Sequence, residues 1–375
     1  MLIGLEASRA NRAHRTGVEW YSAHLFHAMH DLPLASPHVW KLYTNTPLRA
    51  DLRAWTRGWE ECRLAWPPKY FWTQMRLSWE MRFTPPDVLF VPAHVLPRVL
   101  PRHTVVTIHD IGFRRFSHIY KPIQSAYHEI STRDILHSSA DILTVSAFCK
   151  QELIDVYRFA PERITVTPLG IDTLFYAPPS IEEQTAVRAK LRLGDRPFLL
   201  FIGRLEEKKN IAHLVEAFLR VAETDHDLDL VLVGLPGFGW ARVEAKLRAH
   251  PLGARVRILG YVEESDKSAL IGSAESLLLL SLYEGFGLPL LEAMACKTPV
   301  ICTNIASLPE VAHGHAWKLV DPHSLEEAIS AIRSVRLFEG TARTTFLAQA
   351  RTYAETCSWK RTAEQTLRVL TAYGE

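Results

Sequence analysis

The residues able to do chemistry gather in short segments that follow apolar runs. The sharpest is SLYEGFGLPLLEAMAC, residues 281–296. It places Glu284 ahead of Gly285, Phe286 and Gly287, then Pro289, then Glu292. Glycines at 285 and 287 let the backbone approach a ligand closely. Proline suits the first turn of a helix, where its missing N–H would lack an intrahelical partner anyway. The free N–H groups of such a helix start favour an anion such as a pyrophosphate. Glu292, about one turn into that helix, can accept hydrogen bonds from ribose hydroxyls. Glu284 can hold a second polyol such as a sugar. Taken alone, the same residues also describe a glycine turn flanked by solvated carboxylates.

A second segment, FLLFIGRLEEKKN (198–210), sends Arg204 directly off the end of an apolar run and Lys209 five residues later. An arginine and a lysine converging on a cleft suit a diphosphate, because they offset charge at both phosphates. Asn210 is placed to cap the next helix. The alternative is a solvated charge cluster. A third segment, TIHDIGF (107–113), ends in His109 and Asp110; a lone histidine is more often structural, and 11 of the 17 histidines precede residue 140. In a fourth, RTGVEWY (15–21), Gly17 precedes a helical pattern and allows close approach to a phosphate. GLPGFG (234–239) has the wrong order for a dinucleotide fingerprint. No HExxH occurs.

These segments need a scaffold that brings strand ends together. Runs of four to seven Val-, Ile- and Leu-rich residues alternate with helical patterns: LIGL (2–5), DVLFVP (87–92), TVVTIHD (104–110), DILTVS (141–146) and ITVTPLG (164–170). FLLFIG (198–203), DLVLVG (229–234), VRILGY (256–261), SLLLLS (276–281) and PVICT (299–303) follow. Such runs read as strands buried on both faces of a parallel sheet, and right-handed crossovers make that sheet doubly wound. Periodicity pauses at 173–182, TLFYAPPSIE, which reads as a linker. The expected organisation is a first α/β domain over 1–172, the linker, a second α/β domain over 183–357, and a terminal helix over 358–375. Ligands in such sheets bind beyond the carboxyl ends of the strands.

Composition limits the alternatives. The 375 residues are 47% hydrophobic and 22% charged, which excludes a disordered or collagen-like chain. A net charge of +2 is too balanced for a nucleic-acid binder, so no nucleic-acid partner is expected. Residues 1–172 hold 20 Lys/Arg against 16 Asp/Glu, so the amino half is mildly basic. Cys62, Cys149, Cys296, Cys302 and Cys357 form no C-x-x-C pair, which points to a reducing, cytoplasmic setting and away from a zinc knuckle. No apolar run reaches membrane-spanning length, and the start lacks a signal-peptide pattern.

The combination resembles the retaining glycosyltransferases of family 4, glycosyl transferases group 1, with the GT-B fold of two Rossmann-like domains facing across a cleft. The resemblance rests on E-x7-E (Glu284 to Glu292 in EGFGLPLLE), GRLEEKKN, TIHD, ILTVSAFCKQEL, TPLGID, SLPEVA (307–312) and CSWKRTAEQTL (357–367). Leu169 and Leu280 depart from the residues common in the family at those positions. The resemblance implies that Arg204 and Lys209 bind the donor diphosphate and that Glu292 binds the nucleotide ribose. It implies that Glu284 binds the transferred sugar, with backbone N–H groups of Phe286, Gly287 and Leu288 facing sugar or phosphate, and that His109 lies near the donor sugar. The implied reaction moves a hexose, leaning to mannose, from a nucleoside-diphosphate sugar (GDP-mannose or a UDP-sugar) to a glycan or lipid-linked glycan in surface polysaccharide assembly. It needs neither metal nor cofactor. The alternatives are a nucleotide-sugar epimerase or sugar phosphorylase of the same fold, or a noncatalytic nucleotide-sugar-binding protein.

One region bears on the acceptor. Residues 52–83 hold five of the ten tryptophans (Trp55, Trp59, Trp66, Trp72 and Trp79), interleaved with Arg53, Arg57, Arg63, Lys69, Arg76 and Arg82. In KYFWTQMRLSWEMRF (69–83), Tyr70, Phe71, Met75 and Trp79 fit one helix face. The commoner fate of such a face is to pack inside its domain. Exposed, it would suit an anionic bilayer and a peripheral location at the inner face of the cell membrane.

Overall fold

Strands buried on both faces dominate both halves of the chain. The computed structural model describes residues 1–68 and 70–374. Among them, β1 (Leu2–Glu6), β2 (Val39–Thr44), β3 (Glu60–Arg63), β4 (Val88–Val91), β5 (His103–Ile108), β6 (Asp141–Thr144) and β7 (Ile164–Val166) form one parallel sheet, ordered β3-β2-β1-β4-β5-β6-β7. A second parallel sheet holds β8 (Phe198–Ile202), β9 (Asp229–Val233), β10 (Val256–Gly260), β11 (Ser276–Leu279), β12 (Val300–Thr303) and β13 (Lys318–Val320), ordered β10-β9-β8-β11-β12-β13. The two sheets belong to separate compact units, one made of Met1–Gly170 with the residues from Ser358 onward, the other of Ile171–Cys357.

The apolar runs all became strands, and three strands lay outside them. β2 is half-exposed at its start, β3 (EECR) is an edge strand with no buried residue, and β13 has only three residues, two of them exposed. Edge and one-sided strands need no continuous apolar run, so the pattern that reveals central strands misses them.

The stretch 173–182 corrects the linker expectation. Thr173–Phe175 is a 3₁₀ turn with Phe175 fully buried. A helix then starts at Ile181, where Ser180 and Glu183 cap each other: the Ser180 N–H donates to Glu183 (2.7 Å) and the Glu183 N–H to the Ser180 hydroxyl (3.2 Å). The paired prolines mark the approach to a capped helix of the second unit. The terminal helix, Trp359–Thr371, belongs to the first unit. Its Trp359, Ala363, Leu367 and Leu370 share a core with Leu25, Phe26 and Met29 of the Gly17–His30 helix, and Thr362 donates to the Pro168 carbonyl at 2.6 Å.

In each sheet the strand order reverses beside the first strand of the unit, between β1 and β4 and between β8 and β11. At such a reversal the following loops diverge to opposite sides and leave a crevice beyond the strand ends. The Arg204–Lys209 segment follows β8 and the Glu284 loop follows β11, so both leave from the reversal of the second sheet.

Candidate active site

The loop after β11 is built around one glycine. Leu280 and Ser281 stay buried past the strand end, and the Leu288–Ala295 helix begins after Gly287. Gly287 has φ +92°, and a Cβ there would meet Leu308 at 2.6 Å. Glycine therefore satisfies both a left-handed backbone and a tight contact. Leu290 N–H closes the first turn on Gly287 O at 2.9 Å. The N–H of Leu288 lies ahead of that turn, and Pro289 has none to satisfy. Phe286 is buried, and Ser307 fixes the loop by donating to the Glu284 carbonyl at 3.0 Å.

Glu284 faces the segment that follows β8. One carboxylate oxygen accepts from Ser281 Oγ at 2.8 Å, the other from Lys209 Nζ at 2.6 Å. The Leu282 N–H to Lys208 O bond, 2.9 Å, ties the two loops together. The structure thus joins two residues that stand 75 positions apart in sequence. An ammonium has three N–H donors, so Lys209 can hold Glu284 and still donate to a phosphate oxygen.

Glu292 sits almost fully buried on the helix that follows. Its Oε1 accepts from Lys267 Nζ at 2.6 Å, and Lys267 also reaches Glu264 at 3.2 Å. Its Oε2 is buried without a hydrogen-bond partner among the described residues. Burial pushes the Glu292 carboxyl above its ordinary range, and the Lys267 ammonium opposes that push. Sequence reasoning missed Lys267. A charged residue on a helix just after β10 was visible, with Glu264 three positions before it. No spacing rule, however, links position 267 to position 292.

Arg204 stays at the surface, 66% exposed, and lies 3.5 Å from Glu206. Its segment packs backbone to backbone on GLPGFG: Leu205 N–H donates to Leu235 O (3.0 Å) and Gly237 N–H to Leu205 O (2.8 Å). A Cβ at Gly234, φ +141°, would lie 1.8 Å from the Gly203 carbonyl oxygen. The glycines of GLPGFG therefore serve loop packing. Asn210 corrects another expectation. It stands at the N-cap position of the Ile211–Ala222 helix with a left-handed backbone, φ +56°, and makes no cap bond; its amide donates to Pro322 O at 2.9 Å. Asparagine is chosen there for tolerance of that backbone and for the cross-link.

Two expected site residues belong to the first unit. His109 follows β5. The Pro92 carbonyl, 3.0 Å from Nε2, can only accept, so Nε2 carries the proton and Nδ1 presents a lone pair. Burial pushes the His109 pKa down, which keeps the ring neutral at pH 7. The ring packs edge-on against Tyr21 at 4.5 Å, and Tyr21 bonds Thr107 at 3.1 Å. Gly17 opens the Gly17–His30 helix, and a Cβ there would meet open space. The Glu19 carboxylate takes the Thr16 hydroxyl at 2.7 Å and its N–H at 3.3 Å, so this helix start already has an anion beside it.

The exposed face of residues 70–83 is also settled. Tyr70, Phe71, Met75, Trp79 and Phe83 are each more than half exposed, while Trp72, Leu77 and Met81 are buried. Packing inside the domain is therefore the fate of the other side of this segment. A five-residue π-turn, Thr73–Leu77, precedes the Ser78–Phe83 helix and shifts the register between them. Lys69 lies outside the described residues.

Comparison with known proteins gives a consistent picture. Residues 183–344 match the family model of glycosyl transferases group 1, and residues 16–175 match that of glycosyltransferase family 4. The O-antigen chain mannosyltransferase B of Escherichia coli is 35% identical over 297 residues, 78% of this chain and 76% of that protein. The MMP alpha-(1->4)-mannosyltransferase of Mycolicibacterium hassiacum is 30% identical over 234 residues, 61% of this chain and 53% of that protein. Among solved structures, WaaG, a glycosyltransferase involved in lipopolysaccharide biosynthesis, superimposes with TM-score 0.74 at 17% identity, covering 99% of this chain and 100% of WaaG. Anabaena Alr3699/HepE in complex with UDP and glucose gives TM-score 0.75 at 17% identity, with 99% of each chain covered. Both likenesses place the two parallel-sheet units in the GT-B fold.

Proposed function

Starting from the chain's membership of the group 1, family 4 glycosyltransferases, we propose that it transfers mannose from GDP-mannose to a hydroxyl of a glycan or lipid-linked glycan. The observation that carries this reading is the pair of glutamates flanking the Gly287 helix start, each held by its own lysine, one of them with a buried oxygen that has no partner among the described residues. A nucleotide sugar brings two polyols joined by a diphosphate, which is the chemistry this arrangement can satisfy. Glu292 takes the ribose, Glu284 the mannose, and Lys209, the Leu288 N–H and Arg204 the diphosphate. The choice of mannose is supported by the relative with 35% identity and its part in O-antigen chains.

In the proposed step the bond between the sugar C1 and the diphosphate oxygen breaks while the acceptor oxygen bonds to C1 from the same face. The acceptor's proton passes to the departing phosphate oxygen, and the configuration at C1 is retained, as the family resemblance implies. Side-chain cations and the helix start stabilise the charge that grows on the leaving group. His109 contributes a neutral ring whose Nδ1 can accept from a sugar hydroxyl.

A lipid-linked acceptor would bring the enzyme to a membrane face. No described helix is long and apolar enough to cross a membrane. The exposed Tyr70, Phe71, Met75, Trp79 and Phe83 adjoin Ile123, Tyr127 and Ile130 of the Pro122–His137 helix, also exposed, through a Gln74-to-Tyr127 hydrogen bond of 2.8 Å. Exposed Arg82 lies on the Ser78–Phe83 helix and exposed Lys121 directly precedes the Pro122–His137 helix, a composition that suits the headgroup region of an anionic bilayer.

A nucleotide-release screen tests the reading. The purified protein is given GDP-mannose, UDP-glucose and UDP-N-acetylglucosamine with a mannosyl-lipid acceptor, with and without a chelator. Release of GDP from GDP-mannose that depends on acceptor and persists in chelator is expected. Release confined to a UDP-sugar would replace the donor, and loss in chelator with recovery on adding Mg²⁺ would replace the leaving-group chemistry.

A further inference from the structure

The Glu292 carboxylate is held on one side only. Oε1 bonds Lys267 Nζ at 2.6 Å, while Oε2 is buried without a donor among the described residues. A buried acceptor left without a donor is costly, and such groups are uncommon in folded proteins unless a ligand or water completes them. Lys267 is itself mostly enclosed, with 18% of its side chain exposed, and its ammonium lies 5.8 Å from the Phe175 ring centre. The ring and the two carboxylates thus share the surroundings of one ammonium.

We infer that Lys267 is a positioning residue for the donor's ribose, holding Glu292 by one oxygen and thereby aiming the other at the ribose diol. The inference rests on the assignment of Glu292 to the ribose. Its basis is the geometry of the pair. The charges around Glu292 explain why a cation is needed. Glu264, on the same Glu264–Gly272 helix as Lys267, and Asp172 both oppose ionisation of Glu292, as does burial. Arg351, from the Gly340–Thr356 helix, acts on the neighbouring Cys296. Lys267 supplies the positive charge that opposes these effects and favours the carboxylate, which accepts at both oxygens. Without it Glu292 takes up a proton more readily, and one oxygen becomes a donor.

Removing Lys267 raises the pH at which Glu292 ionises. The carboxylate, and with it the recognition of the ribose, is then lost as pH falls through that higher value. In the parent, Lys267 keeps this loss at lower pH.

The test uses the full-length protein and titration calorimetry with GDP and UDP, each beside its 2′,3′-dideoxy analogue. The ratio of the two affinities reports the ribose hydroxyls alone, because the diphosphate's own titration cancels. The parent is expected to prefer the ribose form by about tenfold or more, the worth of a hydrogen bond to a charged group. Lys267→Met should lower that preference several-fold, and the remainder should fade with falling pH, at a higher pH than in the parent. Lys267→Arg, which keeps a cation, should restore most of it. Lys267→Gln carries the same expectation as Met should the Met variant show a collapsed unfolding midpoint. A Met or Gln variant with the parent's ratio at every pH overturns the role of Lys267 while leaving Glu292 on the ribose. A parent that binds both forms equally removes the ribose assignment, and the inference with it.

Discussion

Two lysine–glutamate pairs in the second unit share one distance, 2.6 Å, and differ in everything around it. In Lys209–Glu284 both carboxylate oxygens have partners; Lys209 ends the short 3₁₀ turn Glu207–Lys209 and Glu284 stands on a loop, both in segments that leave the strand-order reversal. In Lys267–Glu292 both residues stand on helices, the side chain of Glu292 is 3% exposed, and one carboxylate oxygen has no partner among the described residues. An ion pair alone therefore says little about function. Surface pairs of this kind are worth about 0–1 kcal/mol, and buried ones barely repay their desolvation. What distinguishes the second pair is the acceptor it leaves over. What distinguishes the first is a lysine with donors to spare beside a helix start.

The largest expected effect is on turnover. Glu284→Ala should lower transfer by a factor on the order of a hundred to a thousand, the range for a group that acts on the reacting sugar. Glu284→Gln keeps shape and loses charge, so an equal loss in both variants identifies charge as the contribution, whereas full activity in Gln would leave only the hydrogen bond. His109→Ala comes next, with an expected loss on the order of a hundred. Because the ring also packs against Tyr21, its unfolding midpoint must be measured beside activity. A parent-like midpoint with full turnover would remove His109 from the reaction.

Smaller effects separate the two diphosphate cations. Lys209→Ala should weaken nucleoside diphosphate binding by about 1.5–3 kcal/mol, as for a charged hydrogen bond in a partly enclosed site. Arg204→Ala should cost less, because its guanidinium is 66% exposed and solvent screens what it contributes. A larger loss for Arg204 than for Lys209 would mean that the loop carrying Arg204 closes over the ligand.

The central strands, the strand-end loops and the glycine at 287 were legible because each has a local cause: a two-faced apolar run, a left-handed backbone, a helix start. Glu284, Glu292 and Lys209 were legible through the same local pattern and the family resemblance. Lys267 was not, since its meaning lies wholly in a contact with a helix 25 residues away in sequence. Asn210 misled because asparagine serves both as a cap and as a residue tolerant of positive φ, and only the backbone angle separates the two. The face at 70–83 misled because aromatic content marks amphipathicity without saying which side is buried. Here Trp72, Leu77 and Met81 take the core and Tyr70, Phe71, Met75 and Trp79 take the solvent.

The central claim is that the two glutamates divide one donor between them, and a pair of titrations tests it directly. Free GDP, which contains the ribose and lacks the sugar, is titrated into the parent, Glu284→Ala and Glu292→Ala proteins. Glu292→Ala is expected to lose about tenfold or more in affinity while Glu284→Ala binds GDP as the parent does. The reverse order would show that the two carboxylates have been exchanged, and parent-like binding in both would place the nucleotide elsewhere.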